Sequence, residues 1–332
     1  MSGHAQPGKS PGSRLKPVAD SLDTVGFVSK GDRKYAHGLL MPMVERRCDH
    51  KVQKEYYDKI VNRYMEFCAR HSKNLEAAWT SLPRSASSDA TSNPPASLPS
   101  LNNKSTGPRS PSPSAELSTI LLSLRKLREA VLATSSTIPI SFSQQVHIFS
   151  IKFAIQARHP PSYFPSFRYI LEELHTSSHP LPDSDLKDLI SYWILDYACR
   201  QEDMVAAYQL RARARRRYGF QSSTIDRVLN ALAHDNWIVF WQIRQDVDSR
   251  MRAVMNWAED RVRRHALKAV GKAYLSTDSR WVTEGCTGDS NWTWENLVKA
   301  ESLGWEKEGD RIIIRKPKQR PQNNLAPIKE NP

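Results

Sequence analysis

The chain has 332 residues, a formal net charge of +13, a pI near 9.6 and 39% hydrophobic residues. That balance points to acidic partners (nucleic acid, acidic proteins or an anionic surface), and the low apolar share places part of the chain outside any core. No run of roughly eighteen apolar residues occurs and the first residues carry no apolar signal core, so no membrane span or secretory leader is expected, and the chain is assigned to the nucleus, the cytoplasm or both.

Residues 1–34, rich in Gly, Pro, Ser and Lys, read as a disordered basic arm. Residues 35–82 read as an N-terminal helical segment, because Val52, Tyr56, Ile60, Tyr64 and Phe67 recur at steps of three and four. Residues 83–114 turn to Ser, Pro, Asn and Thr and read as a disordered linker. Its Arg109-Ser110-Pro111-Ser112-Pro113 stretch is either a proline-directed phosphorylation site or a plain spacer.

A helical-repeat region is expected over 115–245. Leu117, Ile120, Leu121, Leu124, Leu127, Val131 and Leu132 make its first stripe, and Val146, Phe149, Ile151, Phe153 and Ile155 its second. Helices follow near 166–175, near 182–201 with Asp183 or Ser184 as cap, over 204–218 ending at Gly219, and over 223–233. An apolar pattern from Val247 to Leu275 predicts two helices, because its apolar face rotates between Trp257 and Val262. Residues 246–318 then change character. Arg280-Trp281-Val282 reads as a short strand, Ser290 or Thr293 as the cap of a helix, and Gly304 to Arg315 as a hairpin turning at Glu308-Gly309-Asp310. That order is the order of a winged helix. Residues 319–332 read as a disordered tail.

Catalytic motifs are missing. The sequence holds no nucleophile elbow, P-loop, dinucleotide fingerprint or HExxH, and only 13 glycines with which to cradle phosphates. Cys48, Cys68, Cys199 and Cys286 form no CxxC pair and make no zinc spacing. The expectation is therefore a non-enzymatic protein with no cofactor, no metal, no small-molecule substrate and no membrane partner.

Two basic clusters remain. Arg211, Arg213, Arg215, Arg216 and Arg217 share one helix and must meet water or a partner, since an unpaired charge is costly to bury. They read as nucleic-acid or acidic-partner contacts, as an import signal, or as a solvated face. Lys316, Lys318 and Arg320 follow the hairpin and read as phosphate or acidic-partner contacts, or as a polar tail. On the strand Arg311 to Arg315, Ile312 and Ile314 share one face and Ile313 lies on the other between Arg311 and Arg315. With this taken as an outer strand, Ile313, Arg311 and Arg315 become the candidate partner-binding residues. The tryptophans of the last hundred residues read as core anchors, with Trp241 and Trp257 buried where the repeats meet the terminal module.

From Asp235 to Lys318 the residues acquire a family likeness. Phe240-Trp241-Gln242, the stretch from Asp260 to Tyr274, Arg280-Trp281, and Gly304-Trp305 followed by Ile312-Ile313-Ile314 resemble the PCI-domain small-subunit family. That family groups COP9 signalosome subunit eight, proteasome lid subunit twelve and subunit k of translation initiation factor three. A more distant resemblance is to the SAC3/GANP scaffolds of messenger-RNA export and processing, mainly in the alanine- and lysine-bearing helix before the winged helix. The resemblance implies an all-α fold of helical-hairpin repeats closed by a winged helix with a small β-hairpin. It implies a scaffold that binds other subunits of a multi-protein complex, with an RNA- or DNA-binding adaptor as the alternative.

Overall fold

A computed structural model describes residues 50–83 and 111–315. The basic arm, residues 35–49 with Cys48, the linker over 84–110, and residues 316–332 with Lys316, Lys318 and Arg320 lie outside the described residues. The described chain is mostly helical with one small three-stranded antiparallel sheet, in keeping with the all-α expectation. It divides into two compact units, with boundaries between Leu75 and Glu76 and between Val146 and His147.

The first unit pairs α1 (His50–Arg70) with α3 (Pro113–Ala133) and includes the start of α4 (Ile140–Gln156). The stripe of α1 buries Tyr56, Ile60 and Phe67 together with Gln53 and Tyr57. Helix α3 begins two residues earlier than its apolar stripe suggests. The Ser112 hydroxyl accepts the Ala115 N–H at 3.3 Å, and Pro113 fits the first turn because its missing N–H would have no partner there. Glu116 in that first turn is buried, which a carboxylate tolerates only with compensation. Arg70 pairs with it and His71 Nε2 lies 3.4 Å away, so the end of α1 is clamped to the start of α3. Gln53 Nε2 donates to Thr134 Oγ1 at 3.0 Å at the other end of the pair.

The second unit holds α2 (Leu75–Trp79) from Glu76 onward, the rest of α4, and everything beyond it. Trp79 sits edge-on to Phe153 of α4, with ring centroids 5.3 Å apart. Helix α5 (Pro160–Tyr169) and helix α6 (Asp183–Leu195) each widen into a π turn, Ile170–Leu174 and Asp196–Arg200. Pro182 occupies the cap position of α6 without a side-chain bond, so neither Asp183 nor Ser184 caps it. Every residue from Leu189 to Leu195 is buried, which a helix reaches only when neighbours cover all its sides. Those neighbours are α5, α7 (Met204–Tyr218), α8 (Ser223–Ala233) and α10 (Ser249–Met255).

At the end of α6 the fully buried Asp196 gathers four donors. Tyr163 Oη donates at 2.6 Å, Arg200 Nε and Nη2 at 2.6 and 2.7 Å, and Gln201 Nε2 at 2.9 Å. Burial, and then the Asp196 charge, push the Tyr163 phenol well above its ordinary pKa, so it stays a donor.

Helix α9 (Trp237–Asp246) packs on α8, and α10 and α11 (Glu259–Ala273) divide the long apolar pattern where its face rotates. Trp241 of α9 is buried, as expected, whereas Trp257 is only half-buried. Next come β1 (Ser276–Asp278), α12 (Ser279–Thr287), α13 (Trp294–Glu301), β2 (Glu306–Glu308) and β3 (Arg311–Ile313). The expected strand at Arg280-Trp281-Val282 is instead the first turn of α12. The Asp278 carboxylate accepts the Trp281 N–H at 2.8 Å and starts the helix there, leaving the strand to Ser276–Asp278. Thr293 caps α13. Ala266, Leu267 and Val270 of α11, Val282 and Cys286 of α12, Leu297 of α13 and Ile312 of β3 form the local core. Arg263 ties α11 to α13: it is nearly buried, donates to Glu301 at 2.7 Å and Asp260 at 2.8 Å, and lies 4.6 Å above the Trp292 ring. Burial opposes its charge, but the two carboxylates outweigh that and raise its pKa.

Candidate interaction surfaces

The sheet order is β1-β3-β2, so β3 is the central strand and not the outer one. Ile313 pairs with Ser276 on one side and Glu306 on the other, and no free edge lies beside it. The reason is that β1 precedes α12 and returns to β3, a pairing hidden from any reading that treats the hairpin alone. Ile312 is fully buried, Ile314 packs against the core, and Ile313 is half-buried on the opposite face. Arg311 and Arg315 are spent on the sheet's own surroundings. Arg311 stands in register between Asp278 and Glu308 and donates to Ser276 Oγ at 2.9 Å, while Arg315 donates to the Lys272 carbonyl at 2.6 Å.

The two real edges differ. The β2 edge is Glu306-Lys307-Glu308, wholly exposed and charged, the kind of edge that resists pairing. The β1 edge is Ser276-Thr277-Asp278, and it adjoins an apolar patch. Tyr274 is 46% exposed, Leu275 55% and Trp281 39%, with the Tyr274 and Trp281 rings 5.9 Å apart. The Leu275 carbonyl accepts the N–H groups of Ile314 and Arg315 at 2.8 and 3.1 Å, so its backbone belongs to the sheet while its side chain meets water. Trp281, read from the sequence as a core anchor, is thus a surface residue. The sequence pattern put Leu275 at the end of a helical stretch and Trp281 in a strand; they meet as a patch because the strand is Ser276–Asp278 and Trp281 starts the helix after it.

Charge separates this module from the rest of the chain. From Glu259 to Arg315 there are ten basic and ten acidic residues. From Trp294 to Arg311, the stretch of α13 and the hairpin, five acidic residues face three basic ones.

The other predicted cluster lies on α7, which buries only Ala207, Leu210 and Ala214. Asp203 caps its start and Gly219, at φ +63°, ends it. Arg211 is bound to Asp226 of α8, one bond being 2.6 Å. Arg213 lies 3.9 Å from Glu172, which already takes Arg168 at 2.6 Å. Arg217 lies 5.3 Å over the Tyr218 ring. Arg215 and Arg216 are exposed and have no acidic partner among the described residues. The five arginines therefore do not act as one group: Arg211 is structural, Arg213 is half-neutralised, and the last turn is the open part.

Among the described residues no three His, Cys, Asp or Glu side chains gather to hold a metal ion, and no helix is long and apolar enough to cross a membrane. Cys199 and Cys286 are buried free thiols whose pKa is pushed up to about 12 by burial. No protein-family model and no curated protein matches this sequence.

Proposed function

We propose that this chain is a non-enzymatic scaffold subunit of a large multi-protein assembly of the proteasome-lid, COP9-signalosome or initiation-factor type. Its last module is a winged helix that extends a partner's sheet at β1. One observation carries the reading: the exposed Tyr274, Leu275 and Trp281 adjoin β1, whose outer edge pairs with no other strand among the described residues, in a module with as many acidic as basic residues. Backbone groups on a free edge supply pairing, and an adjoining apolar patch supplies the burial that makes pairing selective. The helix–strand–helix–helix–hairpin order and the β1-β3-β2 sheet support the winged-helix assignment. The acidic excess of α13 and its hairpin disfavours a phosphate backbone as the module's ligand, because each phosphate contact calls for Lys or Arg.

The test uses the tagged full chain, purified from its source cells and sized with mass spectrometry of the co-eluting proteins. The wild type should elute in a stoichiometric assembly with other helical-repeat subunits. Leu275→Asp/Trp281→Asp should elute as a folded, unassembled chain, since both side chains already meet water. Retention of the double variant in the same assembly would refute docking at β1.

A further inference from the structure

We infer that the outward face of α7 binds single-stranded nucleic acid, its arginines on the phosphates and Tyr208 stacked on a base. This surface is separate from the β1 edge and does not rest on the scaffold reading. Helix α7 contains no acidic residue from Met204 to Tyr218. Its two partnered arginines, Arg211 and Arg213, turn toward Asp226 and Glu172 on neighbouring elements. Arg215, Arg216 and Arg217 are left exposed in consecutive positions. The helix dipole favours cations in a last turn and accounts for part of this. It does not account for what stands two turns earlier, where Tyr208 is 41% and Val205 67% exposed. Tyr208 lies on the same side of the helix as Arg211 and Arg215, one and two turns on, while Arg216 follows Tyr208 through Ala212 in steps of four.

An open aromatic ring two turns before the free guanidinium groups of Arg215 and Arg216 is a stacking platform with phosphate ligands beside it. An acidic protein would satisfy the arginines but would use the ring only if it also carried an aromatic side chain in register, whereas every nucleotide joins a phosphate to a flat base. Charge complementarity therefore selects a polyanion, and the exposed ring selects one that carries bases. Like charges along Arg211–Arg215 and Arg213–Arg217 destabilise an isolated helix. A bound phosphate chain relieves that repulsion.

The experiment is fluorescence anisotropy on the full chain with a short, labelled single-stranded RNA of mixed sequence, and the same sequence as DNA, over about 50 to 200 mM salt. Wild type should bind both, with affinity falling linearly on a log–log plot. Arg215→Ala/Arg216→Ala should flatten that slope by about 1.4, at roughly 0.7 for each phosphate released. The slope difference isolates α7 from basic residues elsewhere in the chain. Tyr208→Ala should weaken binding roughly ten-fold with the slope unchanged, and Tyr208→Phe should restore it. Circular dichroism on each variant checks that the helices persist. An unaltered slope in the double arginine variant would overturn the proposal. So would competition by polyglutamate as strong as by unlabelled RNA together with an inert Tyr208→Ala, which would make the face an acidic-protein site.

Discussion

Gly288 offers the sharpest check on how the terminal module joins the helices before it. It follows α12 at φ +67°, and a Cβ built there would lie 2.3 Å from the Trp241 ring of α9. Two costs then add for Gly288→Ala. The left-handed backbone costs a non-glycine residue about 1–2 kcal/mol. Forcing an atom into a packed ring costs about 1–3 kcal/mol more, because Trp241 is buried and has little room to give. Gly219 provides an internal control: its φ is +63°, but nothing lies within 4 Å of its would-be Cβ. Gly219→Ala should therefore carry the backbone cost alone. Urea unfolding followed by tryptophan fluorescence measures both, and the difference between the two variants isolates the contact between Gly288 and Trp241. Equal destabilisation within about 0.5 kcal/mol would refute the close packing of α9 on the end of α12. The Gln245 Nε2 donation to the Gly288 carbonyl at 3.3 Å is too exposed to produce the difference by itself.

Asp196→Ala removes the acceptor shared by Tyr163, Arg200 and Gln201 and should cost about 3–5 kcal/mol in chemical denaturation, since it strands a partly buried guanidinium; a loss under about 0.5 kcal/mol would show the cluster to be incidental. His175 is expected to titrate below its ordinary range, first because burial disfavours its cation and then because Arg217 is near. Its Nδ1 accepts the Leu181 N–H at 3.0 Å, a bond that protonation abolishes, so the stability it contributes is present above the ordinary histidine pKa and fades as pH falls through the depressed one. Proton NMR should find the midpoint under about 6.5 and rising in Arg217→Ala; a wild-type midpoint at or above that value would contradict the geometry.

Much of the architecture follows from spacing along the chain. Apolar residues at steps of three and four mark α3, α6, α8 and the α10–α11 pair, because a helix displays one face to its neighbours whatever those neighbours are. Gly219 ends α7 and Thr293 starts α13 for equally local reasons, one the tolerance of positive φ and the other a hydroxyl within reach of a free N–H. That the arginines of α7 meet water or a partner is legible for the same kind of reason, since burying them without partners would cost more than the helix gains. What joins distant segments was not legible. Asp196 and Arg263 look like ordinary surface charges until Tyr163 and Glu301 are brought beside them, from 33 and 38 residues away. The sheet is the clearest case. A hairpin is written in the sequence by its turn, but the third strand is three residues long, carries Ser, Thr and Asp, and pairs with β3 across two helices. That pairing makes β3 central, withdraws Ile313 from any free edge, and makes β1, flanked by the exposed Tyr274, Leu275 and Trp281, an outer strand. Strand order is settled by which backbone groups end up adjacent once α11, α12 and α13 have packed, and no local preference of three polar residues encodes it.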